Sequence, residues 1–271
     1  SSTPLRAVPY VSREYLIIVQ VCAQKYDFLL SFLGKRYLNS SITYMLMQAE
    51  KIIILDFGSQ YTHLLARRIR QLGVYTEIRL PDEKWNEWDL EVCKGVILSG
   101  GPSSVYDKSA PVFNQSIFKL EVPVLGLCYG HQLIAQQLGG KVKKGKVKEY
   151  GLAELNVIDT KDLFKRLSQT QTVWMSHGDQ VVSLPEGFRV IASTNHCKIA
   201  AMASKKFFGL QFHPEVTHTV YGMKILDNFI QICVCKRDWS MKNYVDTITA
   251  QIKNKVGKNK VFLLVSGGVD S

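Results

Sequence analysis

The chain has 271 residues, 46% of them hydrophobic and 21% charged, the balance of a globular protein with a full core rather than of a disordered or fibrous one. Its formal net charge is +11, partly carried by KVKKGKVK at 141–148 and KNKVGKNK at 253–260; no aromatics are interleaved, so these clusters read as a solvated hairpin edge and a solvated linker, and no nucleic-acid partner is expected. Nothing approaches the ~20 consecutive apolar residues of a membrane span, and the cysteines at 22, 93, 128, 197, 233 and 235 form neither a paired CxxC nor a disulfide framework, which points to a reducing, cytoplasmic setting.

Residues 1–46 mix aromatic and apolar residues without a clear period. Arg6 and Arg13 ahead of YLIIVQVCA leave a targeting segment open, beside a fragment edge or sequence upstream of a start at Met45 or Met47. An ordered pattern begins at Lys51, so 1–46 is read as an extension outside the core.

From there strands and helices alternate. Ile52–Leu55 is an apolar run suited to a strand buried on both faces. Asp56, Gly58 and Ser59 make a turn. Tyr61–Leu72 has helical spacing and Gly73 a helix stop. Val74–Ile78 and Gly95–Leu98 are further strands, the second running into SGGPSS. Pro111–Leu120 reads as a helix, and Val122–Leu127 as a strand ending at Cys128. The pattern predicts an α/β fold: a mostly parallel central sheet with helices on both faces. Ligands of such sheets sit beyond the carboxyl ends of the strands, where DFGSQY, SGGPSS and GLCYGHQ all fall.

After Gly140 an antiparallel region is expected. Ala153–Ile158, Thr172–Met175 and Arg189–Ser193 read as strands, and Ile199–Ala203 and Phe207–Phe212 flank SKK as a hairpin. Helices follow over Val220–Cys233 and Met241–Ile252. The boundaries implied are 47–236 for the main domain, 237–260 for a helical linker and 261–271 for the start of another domain. Cys233 and Cys235 form a CxC with no histidine close by in sequence, and no metal site is expected.

The G-x-C-x-G of 126–130 has the form of a nucleophile elbow. A strand turns sharply into a helix, glycines relieve crowding around a strained tip, and the helix start favours thiolate over thiol at Cys128. A cysteine nucleophile needs a base and the base an orienting group. QFHPEV at 211–216 offers both, because His213 and Glu215 are two residues apart and share a face of an extended chain. His131 and His177 are rivals; His63, His196 and His218 read as surface or packing residues. ILSGGPSS and the N–H of Tyr129 offer donors for a developing oxyanion, each such donor being worth ~3 kcal/mol of barrier.

Taken together and in this order, LDFGSQY, ILSGGP, GLCYGHQ, WMSHGD and QFHPEV resemble the class I glutamine amidotransferases, a Cys-His-Glu family with a flavodoxin-like fold. The resemblance implies Cys128 as nucleophile, His213 as base and Glu215 as its orienter. It implies oxyanion N–H groups from Gly101 and Tyr129, and glutamine held by Gly100, Gln132, Ser176, Gly178 and Asp179. No cofactor is implied for this half. SGGVDS at 266–271 resembles an ATP-pyrophosphatase loop, implying that Ser266, Gly267, Gly268, Val269, Asp270 and Ser271 cradle ATP phosphates. The partners implied are glutamine here, and ATP, Mg2+ and XMP through the rest of a second domain. An amidotransferase serving anthranilate or carbamoyl phosphate synthesis, and a non-catalytic binding subunit, stay open as alternatives.

Overall fold

The computed structural model describes residues 15–17, 50–85 and 87–262. Met47–Ser240 is one compact unit. Its sheet has nine strands. In chain order they are β2 (Lys51–Leu55), β3 (Tyr75–Arg79), β4 (Cys93–Leu98), β5 (Val124–Leu127), β6 (Lys141–Val157), β7 (Thr170–Ser183), β8 (Arg189–Ser193), β9 (Ala201–Ala203) and β10 (Phe207–Leu210). They lie side by side as β3-β2-β4-β5-β10-β9-β8-β6-β7. The first five in that order are parallel and the rest antiparallel, the mixed sheet the sequence implies.

Alternation along the central strands feeds two cores, one on each face. Ile52 and Ile54 point to one side, with Leu65 and Ile69 of α1 (Thr62–Gln71) and, further along the chain, Ile225 and Phe229 from the helix Gly222–Ile232. Ile53 and Leu55 point to the other, with Leu133 and Ile134 from the helix Tyr129–Gln137. These two helices are α3 (Tyr129–Gln137) and α4 (Gly222–Ile232); a short α2 (Glu87–Val92), for which the sequence carries no clear signal, precedes β4. The hairpin around SKK forms as expected, with Phe208 opposite Ala203.

Two expectations are corrected. Pro111–Leu120 is not a helix; a single 3-10 turn, Gln115–Lys119, forms after Asn114, whose side chain accepts a hydrogen bond from the Ser116 N–H at 3.0 Å. One turn suffices to bury Ile117 and seat Phe113 and Phe118 against the core, so nothing holds a longer helix. The strand expected over Ala153–Ile158 begins far earlier. The lysine run 141–148, exposed at Lys141, Lys143, Lys144 and Lys148 as a solvated edge should be, opens a 17-residue strand, β6, that pairs antiparallel with β7 from Lys141 to Asn156, with a register break between Lys144 and Glu149. β7 also returns to the centre of the sheet: Met175 bridges Phe212, and the His213 N–H donates to the Trp174 carbonyl at 3.1 Å. That return brings β7 over the end of β10.

Residues outside this unit are described in part. β1 (Tyr15–Ile17) pairs in parallel with β11 (Lys260–Phe262), so the late apolar strand has a neighbour over that stretch. α5 (Met241–Val256) runs four residues past the expected end. Among the described residues no helix is long and apolar enough to cross a membrane. The proposed phosphate loop, Ser266 to Ser271, lies outside the described residues.

Candidate active site

Cys128 stands between β5 and α3 with φ +50°, a left-handed conformation that is costly for a residue with a side chain. Its neighbours make the turn possible. A methyl group on Gly126 would lie 2.3 Å from the Gly130 carbonyl oxygen, and one on Gly130 2.4 Å from the Leu98 carbonyl oxygen. Only glycine fits at either place. The Cys128 N–H donates to the Leu210 carbonyl at 2.8 Å and the Gly130 N–H to Ser99 at 3.1 Å, fastening the elbow to strands on both sides.

His213 lies three residues past the end of β10, and its Nδ1 is 2.8 Å from Glu215 Oε1. Cys128 lines the same cleft as the ring and lies close enough to act on its charge. Cys128, His213 and Glu215 are 6%, 4% and 3% exposed. Burial opposes a charge on the imidazole, but the Glu215 carboxylate, its hydrogen bond to the ring and the nearby Cys128 sulfur overcome it and raise the His213 pKa to about 10. Glu215 Oε2 is buried without a hydrogen-bond partner among the described residues, so the carboxylate's attraction is directed largely at the ring. Tyr61 meets that ring edge-on with centroids 5.2 Å apart.

Around this trio lies a cleft of about 600 Å³. Gly101, Tyr129, Gln132, Ser176, Gly178 and Asp179 all line it. Gly100 sits behind, where a Cβ would come 3.2 Å from His213 Cε1 and 3.7 Å from Cys128 Cβ. Gly101 packs on the Phe57 carbonyl, 2.5 Å from where its Cβ would stand. Tyr129 opens α3, in the first turn, whose N–H groups have no intrahelical acceptor. Gln132 Nε2 donates to the Asp179 carbonyl at 2.9 Å and to Gln211 Oε1 at 3.2 Å. The Asp179 carboxylate accepts from Tyr106 Oη at 2.9 Å and from Ser104 Oγ. Cys128 Sγ is 3.5 Å from the Ser176 carbonyl oxygen and 3.7 Å from Gln211 Nε2.

Gly101, Cys128, Tyr129, Gln132, Ser176, Gly178, Asp179 and His213 therefore border one space, with Glu215 behind the His213 ring and Gly100 behind His213 and Cys128. The rivals to His213 do not compete. His131 is fully buried against Gly209 of β10, and burial, with His177 nearby, lowers its pKa to about 3. His177 is bonded to Glu149, 3.1 Å from its Nε2. His63, His196 and His218 are exposed, His218 stacking on Trp174. Sequence reading missed Lys144 and Lys148, which line the cleft from β6, and Tyr106, which from a loop holds the Asp179 carboxylate of that cleft.

The model of the "Glutamine amidotransferase class-I" family matches residues 53–233. The chain belongs to the class I glutamine amidotransferases. It is 46% identical over 228 residues to the GMP synthase [glutamine-hydrolyzing] of Syntrophomonas wolfei and 48% identical over 225 residues to that of Bacillus subtilis. These alignments cover 83% and 82% of this chain but only 45% and 44% of the relatives, so this amidotransferase chain spans less than half their length. The solved structure of a candidate GMP synthase subunit from Thermoplasma acidophilum superposes with a TM-score of 0.61 at 32% identity, covering 74% of this chain and 98% of that one. A glutamine amidotransferase from Thermotoga maritima, 20% identical, shares the fold with a TM-score of 0.52 over 78% of this chain and 92% of its own.

Proposed function

We propose that this chain hydrolyses glutamine through Cys128, His213 and Glu215. The observation that carries the reading is the placement of His213, held by Glu215 at 2.8 Å and facing the same cleft as the Cys128 sulfur. The imidazole takes the thiol proton, and the sulfur attacks the side-chain amide carbon of glutamine. The N–H groups of Gly101 and Tyr129 receive the developing oxyanion. His213 passes its proton to the departing nitrogen, ammonia leaves and a thioester remains. Water then attacks the thioester, giving up a proton to His213, and glutamate is released with the thiol restored. Gly100, Gln132, Ser176, Gly178 and Asp179 hold the substrate.

In the longer protein whose length the relatives suggest, the ammonia would pass to adenylated XMP to yield GMP in purine synthesis, in the cytosol. ATP and Mg2+ belong to that second domain, with residues 266–271 as the start of its phosphate loop.

The direct test is glutamate and ammonia release from glutamine by the purified chain, with Cys128→Ala abolishing it. A glutamine analogue carrying an electrophile at the side-chain carbonyl should label Cys128, and free glutamine should protect it. Label on Cys93 or Cys197 with Cys128 unmodified would refute the assignment. In the full-length protein, Cys128→Ala should still aminate XMP when supplied with ammonium salt; loss of both nitrogen sources would count against a separate ammonia-producing half.

A further inference from the structure

Next to the cleft, and used by none of the steps above, is a buried set of polar groups on β6, β7 and the loop after β8. Glu149 stands opposite His177 in the ladder. Its Oε2 lies 3.1 Å from His177 Nε2, and its Oε1 accepts a hydrogen bond from Thr194 Oγ1 at 3.0 Å. His177 Nδ1 lies 2.9 Å from the Asp179 carbonyl oxygen. Thr194 Oγ1 in turn accepts the Cys197 N–H at 2.9 Å. Glu149, His177 and Thr194 are at most 8% exposed and Cys197 not at all.

The protons in this set can be counted. A backbone carbonyl only accepts, so His177 carries a hydrogen on Nδ1. Its Nε2 would then face a carboxylate, two acceptors 3.1 Å apart, unless one proton lies between them. The pair therefore holds a single shared proton, either as imidazolium with carboxylate or as imidazole with carboxylic acid. Both forms satisfy the same geometry.

Its location gives the pair a task. The β6–β7 register is interrupted between Lys144 and Glu149, so the ladder does not by itself fix Gly178. The Asp179 carbonyl that receives His177 also receives Gln132 Nε2, and Gln132 leads through Gln211 to the Cys128 sulfur. We propose that Glu149 and His177 are positioning residues: sharing one proton, they clamp the Ser176–Asp179 edge of β7 where it forms the glutamine-binding wall. This rests on the glutaminase reading and adds to it two residues that touch neither sulfur nor the reacting carbon.

The test is a set of steady-state measurements on the whole chain, with glutamine binding followed by calorimetry in a Cys128→Ala background. Glu149→Gln keeps every bond, since its amide NH2 donates to His177 Nε2 and its carbonyl accepts from Thr194. It should stay within about threefold of the unaltered KM. Glu149→Leu leaves His177 Nε2 unpaired and should raise KM and the glutamine Kd by about tenfold or more, with kcat changed much less. Should Glu149→Leu fail to fold, Thr194→Val removes only the hydroxyl that aims Glu149 and should raise KM by about threefold. Unchanged KM in Glu149→Leu or in Thr194→Val, or equal damage from Gln and Leu, would overturn the clamp while leaving the glutaminase intact. Uptake of one Co2+ with a thiolate-to-cobalt absorption band lost in Cys197→Ser would overturn it as well, because Glu149, His177 and Cys197 have ligand atoms within 4.8 Å of one another and a metal would then take the proton's place. If the unaltered chain neither turns over nor binds glutamine, both readings fall together.

Discussion

Gly126 and Gly130 stand back to back in the elbow, with the Gly130 carbonyl oxygen 2.3 Å from where a Cβ on Gly126 would be placed. The obstacle is backbone, which cannot swing aside as a side chain does. Gly126→Ala should therefore displace α3 from β5, removing Cys128 from its strained tip. The expected result is loss of glutamine turnover together with a stability loss in the range of ~1–3 kcal/mol that overpacking brings. Gly139→Ala is the control, having nothing within 4 Å of its added carbon but a φ of +96°; it should cost stability alone, by about 1 kcal/mol. A Gly126→Ala enzyme with unaltered turnover would show that the elbow can open without chemical consequence.

The His213–Glu215 bond sets the second expectation. His213→Ala removes the group that exchanges protons with both sulfur and leaving nitrogen, so turnover should fall by several orders of magnitude, as it does when base and nucleophile act as a unit. Glu215→Gln should cost less, because the ring keeps a hydrogen-bond partner. It should also move the alkaline limit of activity. Burial already works against the charged ring, and Glu215 is what overcomes it to raise the pKa to about 10; without the carboxylate the protonated form is lost at lower pH. A pH–rate profile of Glu215→Gln whose alkaline limb coincided with that of the unaltered chain would contradict this assignment.

Two buried histidines give stability opposite pH dependences. His213 has a folded pKa raised to about 10, above the ~6.5 of an unfolded histidine. Its contribution is whole below about pH 6.5 and is lost as pH rises through about 10. His131 has a folded pKa lowered to about 3 by burial and by His177. Its contribution is present above about pH 6.5 and is lost as pH falls through about 3. Denaturant midpoints across pH 3–10 should show the alkaline slope reduced in His213→Gln and the acid slope reduced in His131→Gln. Parallel curves for either variant and the unaltered chain would exclude that histidine as the cause.

Much of this arrangement was legible because local chemistry demands it. G-x-C-x-G cannot pack as an ordinary strand–helix turn, and His213 and Glu215 are two apart on an extended segment, so the elbow, base and orienter declare themselves in sequence. The continuous apolar runs of β2, β4 and β5 show the buried parallel centre for the same reason. What stayed hidden depends on tertiary return. Glu149 sits in a lysine-rich strand, and nothing local marks it as the partner of His177; β6 and β7 must first pair. Tyr106 reaches Asp179 from a loop with no motif around it. The helix expected over Pro111–Leu120 failed because tertiary packing of three apolar residues outweighed local propensity.

The six cysteines offer a last and sharper check on the site. Burial raises the Cys93 pKa to about 11 and, with Glu149 nearby, that of Cys197 to about 12. Burial, with Cys235 beside it, also raises that of Cys233, so these three stay protonated near neutrality. Cys235 is different: a hydrogen bond from Cys233 lowers its pKa against the opposing effect of burial, and it is partly exposed. Cys22 lies outside the described residues. A small general alkylating agent at neutral pH should therefore mark Cys235 as well as Cys128, while Cys93, Cys197 and Cys233 are spared. Reactivity alone does not identify the nucleophile; protection does. On the proposed function glutamine binds in the cleft that Cys128 lines, and it should slow alkylation there without changing the rate at Cys235. Peptide mapping by mass spectrometry with and without glutamine reads both rates in one sample. Protection at Cys235, or equal rates at Cys128 in both samples, would separate the glutamine site from the elbow.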